Sequence, residues 1–292
     1  MFNLNLLFWI LCFLAAVLPV LALCYYIYKK DVNPEPSKTL LRIFVCGCIT
    51  TIPIIFLEVF IQKYYSLDTV LENFWLLFIN IFISVAFIEE GFKWIVTKKL
   101  GYDIKEFDEI YDIIVYSVFA SLGFACVENI LYVFSNGLGN ALLRAFTSVP
   151  GHTCFGVVMG YYFSKAKMSE ISKEENKCRK YMILSFIIPT VLHTFYNTVI
   201  LHFAATGIFS FLFLFLIFLS LMFITSFKIV DEVSDEQRFL YNDIEEENLN
   251  MIVNESSQKD AISAKKGVHF CSNCGNNVDG CNYCTSCGFK IC

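Results

Sequence analysis

Ala86-Phe87-Ile88-Glu89-Glu90-Gly91-Phe92-Lys93-Trp94 sets two adjacent carboxylates and a lysine inside an apolar run that extends from about Phe74 to Val96. The run is long enough to cross a bilayer as a helix of roughly 20 residues. Ionisable groups in such a segment cost about 2.5 to 3.5 kcal/mol each on insertion scales, so they are kept for function or paired with one another. Read as a membrane span, this stretch defines an all-α polytopic membrane protein with a polar interior.

The rest of the chain agrees with that reading. Of 292 residues, 57% are hydrophobic and 17% charged, and the mean hydropathy of +0.59 lies above that of soluble globular chains. Apolar segments of spanning length fall at about 5–28, 40–62, 73–97, 110–134, 141–164, 181–204 and 207–227, which predicts seven transmembrane helices. The first has no basic stretch before it and spans by length, so it reads as a helix rather than a signal peptide. Pro150 and Gly151 interrupt the fifth.

Loop charges orient the bundle. Lys29, Lys30, Lys38 and Arg42 follow helix one, Lys98, Lys99 and Lys105 follow helix three, and Lys165 to Lys180 supplies six more cations after helix five. The opposite loops hold only Lys63 and Arg144. This asymmetry places the N-terminus outside the cell membrane and the C-terminal tail in the cytoplasm. The net charge of −5 is concentrated in Asp231 to Glu247, a pattern that argues against a nucleic-acid partner.

Three regions follow: a transmembrane domain at 1–228, an acidic flexible linker at 229–268 and a small module at 269–292. The module contains Cys271-Ser272-Asn273-Cys274-Gly275 and Cys284-Thr285-Ser286-Cys287-Gly288, with nine residues between the inner cysteines Cys274 and Cys284. Two C-x-x-C-G knuckles on tight turns direct four thiolates at one metal, so Cys271, Cys274, Cys284 and Cys287 are expected to form a zinc ribbon. So short a segment buries little core, and the metal is expected to supply its folding energy. A reducing cytoplasm favours metal over disulfides. Cys281 and Cys292 read as spare thiols, and the seven scattered cysteines as small buried hydrophobes.

The helices carry further groups that hydrocarbon excludes: Glu58, Glu128, Asn129, His152, His193 and Asn197. Glu58 is near the outer end of helix two and is expected to snorkel to water. The others, with Glu89, Glu90 and Lys93, suit water activation against a carbonyl. A carboxylate takes a proton from water while imidazole or amide donors stabilise the oxyanion, or Glu and His together hold a divalent metal that lowers the water's pKa. Neither Gly-x-Ser-x-Gly nor His-Glu-x-x-His occurs.

The arrangement resembles the PrsW intramembrane proteases, relatives of the type II CAAX prenyl proteases. The resemblance covers about residues 40–205 and rests on Glu89-Glu90-x-x-Lys93, on Tyr111-Asp112-Ile113-Ile114-Val115-Tyr116 leading into Gly123-Phe124-Ala125-Cys126-Val127-Glu128-Asn129, on Gly151-His152 and on His193-x-x-x-Asn197. It implies proteolysis of a membrane-anchored substrate, in some members an anti-sigma factor whose loss switches on a stress response. It also implies catalytic roles for Glu89, Glu90, Glu128, His152 and His193, with Lys93, Asn129 and Asn197 in support. It does not account for the ribbon, for which a cytoplasmic partner is expected. Two rival uses of such residues are a proton- or ion-coupled transporter and an inactive receptor whose ribbon recruits a partner.

Straight helices rising ~1.5 Å per residue do not bring these groups level. Glu128 and His152 fall toward the outer ends of their spans and Glu89 toward the inner end. A shared site therefore requires tilt or a shifted boundary in helix three.

Overall fold

The computed structural model describes residues 4–64, 67–103, 109–265, 270–278 and 283–290. Cys281 and Cys292 lie outside these residues. The chain divides into two units, Met1–Gln237 and Arg238–Cys292.

In the first unit, α1 (Leu4–Lys30) and α2 (Ser37–Gln62) are followed by α3 (Phe74–Ile81) and α4 (Phe87–Thr97), joined by a π turn at Phe82–Ala86 and extended by another at Lys98–Tyr102. Then come α5 (Asp112–Asn136), α6 (Leu138–Phe146), α7 (Ser148–Ile171), α8 (Glu175–Thr206) and α9 (Phe209–Lys265), of which the residues to Gln237 belong to the first unit. Among the described residues, six helices are long and apolar enough to cross a membrane. The protein is an integral membrane protein, and α7 is a further long helix enclosed by the others.

The centre of the bundle is α5, which packs against α1, α2 and α7, while α7 packs in turn against α8. Small residues let these helices approach closely, as lipid-embedded bundles require. A Cβ at Gly47 would overlap the Ala120 carbonyl, and one at Gly123 would overlap that of Phe44. On the other face of α5, a Cβ at Gly160 would come 2.6 Å from the Ile114 Cα. Gly123→Val must therefore push α2 away from α5, at a cost of about 1 to 3 kcal/mol for an overpacked core. We expect a lower melting temperature and less protein in the membrane, while Gly139→Ala, where the added carbon meets nothing within 4 Å, leaves both unchanged.

Two expectations are corrected. The fifth apolar segment is not one helix, since the chain breaks at Thr147 (φ −122°, ψ −70°) and α7 starts at Ser148. Pro150 is accommodated in its first turn, where a missing N–H breaks no helical bond. Within the second region, α9 remains helical to Lys265 rather than becoming a flexible tether at residue 229. No glycine or proline occurs between Ile208 and Lys266, and the acidic stretch consists largely of residues compatible with a helix.

The second unit contains the ribbon. Its two knuckles repeat one geometry: an isolated bridge pairs Phe270 with Asn277 and another pairs Tyr283 with Lys290. Gly275 and Gly288 follow the cysteine pairs with φ of 74° and 75°, a left-handed conformation that favours glycine.

Candidate functional site

Glu89, Glu90 and Lys93 occupy the first two turns of α4. Their i, i+4 and i, i+3 spacings stack them on one face. The π turn just before them adds a residue to the helix and rotates everything after it by about 100°, one residue of a 3.6-residue turn. That face is turned inward: Glu90 and Lys93 are fully buried and Glu89 is 4% exposed. Lys93 Nζ donates to Glu89 Oε2 at 3.1 Å, to Glu90 Oε1 at 2.8 Å and to His152 Nδ1 at 3.2 Å. It also stands 4.2 Å from the centre of the Phe124 ring.

The helix break at Thr147 brings His152 to the same place. Arg144 on α6 donates to Glu128 Oε2 at 2.7 Å and to Asn129 Oδ1 at 2.9 Å. Since α5 ends at Asn136, α6 must turn back alongside it by about eight residues, or ~12 Å. α7 consequently begins at the depth of Glu128, and His152 Nε2 meets Glu128 Oε2 at 3.0 Å. A lysine ammonium can only donate, so His152 Nδ1 accepts from Lys93 and Nε2–H donates to Glu128.

From α8, His193 Nδ1 lies 2.9 Å from Glu90 Oε1 and its Nε2 lies 3.1 Å from Asn197 Nδ2. Donation by the Asn197 amide leaves Nδ1–H for Glu90. The Phe155 ring stacks on His193 at 4.8 Å, and the two imidazoles are 5.4 Å apart, nearly perpendicular. The five residues expected to be catalytic thus belong to one connected network. It contains two carboxylate–imidazole pairs, Glu128–His152 and Glu90–His193, linked through Lys93.

A cavity of about 530 Å³ opens beside this network. Glu89, Glu128, His152, His193 and Asn197 line it, together with Glu58 and Arg144. Glu90 and Lys93 lie behind the wall. Asn129 is also set back, donating to the Ala16 carbonyl at 2.8 Å and anchoring α1.

Glu58 does not snorkel. Its side chain turns into the cavity, where Oε1 is buried with no hydrogen-bond partner. Arg144, read from sequence as a stray loop charge, is a structural cation of the site, and its guanidinium covers Tyr132 at 4.1 Å. The signal for both residues is a charge in an apolar helix that lacks an i±3 or i±4 counter-charge, which directs the search to other helices. His202 is buried as well, and its Nδ1 lies 2.9 Å from the Leu71 carbonyl oxygen.

Glu89, Glu90 and His152 present ligand atoms that all lie within 4.8 Å of one another. Two carboxylates and an imidazole suit a divalent ion in their chemistry. The Lys93 ammonium holds the position on which the three converge.

In the ribbon, the Sγ atoms of Cys271, Cys274, Cys284 and Cys287 also lie within 4.8 Å of one another. Cys271 Sγ is 3.7 Å from Cys287 Sγ, and Cys274 Sγ is 3.4 Å from Cys284 Sγ. A tetrahedral metal with bonds of about 2.3 Å to sulfur needs sulfurs about 3.8 Å apart, so the four thiols fit one ion. The Phe289 backbone N–H and the Asn273 amide lower the pKa of the Cys287 thiol to about 6.

A membrane-embedded bundle that buries paired carboxylates and imidazoles beside a cavity holds the groups that hydrolysis inside a membrane requires. A model of the PrsW family of intramembrane metalloproteases matches residues 35–225. Protease PrsW of Oceanobacillus iheyensis is 40% identical over 191 residues, covering 65% of this chain and 83% of that protein. The Geobacillus kaustophilus protease is 40% identical over 188 residues (64% and 78%), and the Bacillus subtilis protease 37% over 190 (64% and 81%). No solved structure matches. The chain belongs to the PrsW family and is a membrane-embedded protease.

Proposed function

We propose that Glu89 is the general base of peptide hydrolysis. The supporting observation is its position: of the two adjacent glutamates, only Glu89 reaches the cavity, whereas Glu90 is held behind it by Lys93 and His193. Glu89 takes a proton from water, the oxygen attacks the substrate carbonyl, and the proton passes to the leaving amine. Asn197 has a second amide hydrogen available for the developing oxyanion. Lys93 donates to both carboxylates at close range, while Glu128 and Glu90 fix the orientation of His152 and His193. Glu89, Glu90 and His152 would hold a divalent ion only with the Lys93 ammonium displaced from the point on which they converge, and the ion would then lower the pKa of a bound water.

The substrates are single-span or lipid-anchored membrane proteins, an anti-sigma factor among them. With the N-terminus outside and the C-terminus cytoplasmic, the cavity rim formed by Gln62, Leu67, Asn140 and Thr147 faces the outer side. Scission then falls in the outer half of the substrate's span. The test is to incubate purified protein with a reconstituted single-span substrate and to map the product ends by mass spectrometry. Cleavage in the outer half is expected, with kcat lowered ~10²–10⁴-fold in His193→Ala. Cleavage confined to the cytoplasmic side, or an unimpaired variant, counts against the assignment.

The ribbon binds zinc on the cytoplasmic side and presents a surface to a partner protein there. Removal of the metal by a chelator should unfold it, making all four cysteines reactive toward a maleimide, with protection restored by zinc. Acidification protonates the thiolates and releases the metal in the same manner. Equal maleimide labelling with and without zinc would exclude this site.

A further inference from the structure

One motif is not used by the proteolytic site: Tyr111-Asp112, at the opposite end of α5 from Glu128. Sixteen residues of helix, or about 24 Å, separate the two carboxylates. At this end Asp112 is fully buried, and its Oδ2 accepts from the Glu109 N–H at 2.9 Å. Such a contact shapes the turn into α5 and occupies one oxygen. The other, Oδ1, is buried with no hydrogen-bond partner. A wholly buried carboxylate with an unsatisfied oxygen is costly unless a ligand or proton completes it.

Its neighbours identify the ligand. Asp31, from the end of α1, is 6% exposed, and Glu109 is half-buried. Asp31, Glu109 and Asp112 offer oxygen atoms that all lie within 4.8 Å of one another. Two metal–oxygen bonds of about 2.3–2.6 Å span that distance. Glu35, also buried, adds like charge to Asp112.

The surroundings are firmly built. Asp31 Oδ1 accepts from the Asn33 N–H at 3.2 Å, the Tyr111 hydroxyl donates to the Ile27 carbonyl at 3.1 Å, and the Tyr111 N–H donates to Gln237 Oε1 at 3.1 Å. The oxygens are thereby held in place by three separate parts of the chain. Nitrogen and sulfur ligands are absent from the set, which favours a hard cation over zinc or copper.

We propose that Asp31, Glu109 and Asp112 bind a hard divalent cation, Ca²⁺ or Mg²⁺, that ties the end of α1 to the start of α5. It is a further metal site, remote from the proteolytic network and chemically distinct from the ribbon. A cation there neutralises the converging carboxylates, so the helix ends pack more firmly when it is bound.

The test uses the full-length protein in detergent, freed of metal and then titrated separately with CaCl₂ and MgCl₂ while thermal unfolding of the membrane unit is followed by tryptophan fluorescence. At least one cation should raise the melting temperature saturably, by several degrees at about a hundredfold excess over Kd. Asp112→Asn should weaken the apparent affinity at least tenfold, and Glu89→Gln should leave the shift intact, which separates this site from the proteolytic one. If Asp112→Asn does not accumulate, Asp31→Asn is read in the same way. No shift with either cation at millimolar concentration would overturn the proposal and assign the cluster to shared protons. An undiminished shift in the cluster variant would overturn it too.

Discussion

Glu89→Gln is expected to lower peptide cleavage by ~10²–10⁴-fold while the amount of protein in the membrane stays unchanged. The size of the loss follows from removing the one basic oxygen pair on α4 that faces the cavity. Folding is spared because the buried charges still balance: Lys93 keeps Glu90 at 2.8 Å, and a glutamine oxygen can still accept from the ammonium. The measurement is turnover of a co-expressed or reconstituted substrate, normalised to protein detected in the membrane. Wild-type turnover in Glu89→Gln together with loss in Glu90→Gln would exchange the two roles.

Lys93→Met should have the largest effect on stability. The variant leaves Glu89 and Glu90 adjacent and buried with their shared cation gone, and breaking a buried ion pair on one side costs about 3 to 5 kcal/mol. It also removes the donor that fixes the His152 tautomer, so activity falls with stability. A double variant, Lys93→Met with Glu90→Gln, removes one of the repelling charges and should recover a substantial part of the lost melting temperature without recovering turnover. If the single variant unfolds at the wild-type temperature, the carboxylates do not depend on Lys93 for compensation.

Much of the site was legible because hydrocarbon makes polar residues conspicuous. Glu89, Glu90, Lys93, Glu128, His152 and His193 could be selected by asking which groups an apolar helix should not contain. Asn129 was selected by the same rule, yet it ties α5 to the Ala16 carbonyl and to Arg144, away from the cavity. Glu58 and Arg144 show the limit from the other direction. Each sits near the end of an apolar segment, where a charge can reach water at little cost, so sequence alone favoured an exterior position. Their inward orientation depends on α6 folding back beside α5 and on the cavity formed with α2, both long-range contacts with no local pattern.

The sequence by itself determined the class of fold, the set of polar residues and the four-cysteine ribbon, because hydropathy, helical spacing and knuckle spacing are local properties. The tertiary structure decided how these parts meet. A π turn ahead of Glu89 and a break at Thr147 bring together residues that straight helices would hold at different depths. It also distinguished Glu89 from Glu90. Adjacent residues point about 100° apart on a helix, and only the neighbouring α2, α5, α7 and α8 determine which direction is cavity and which is core.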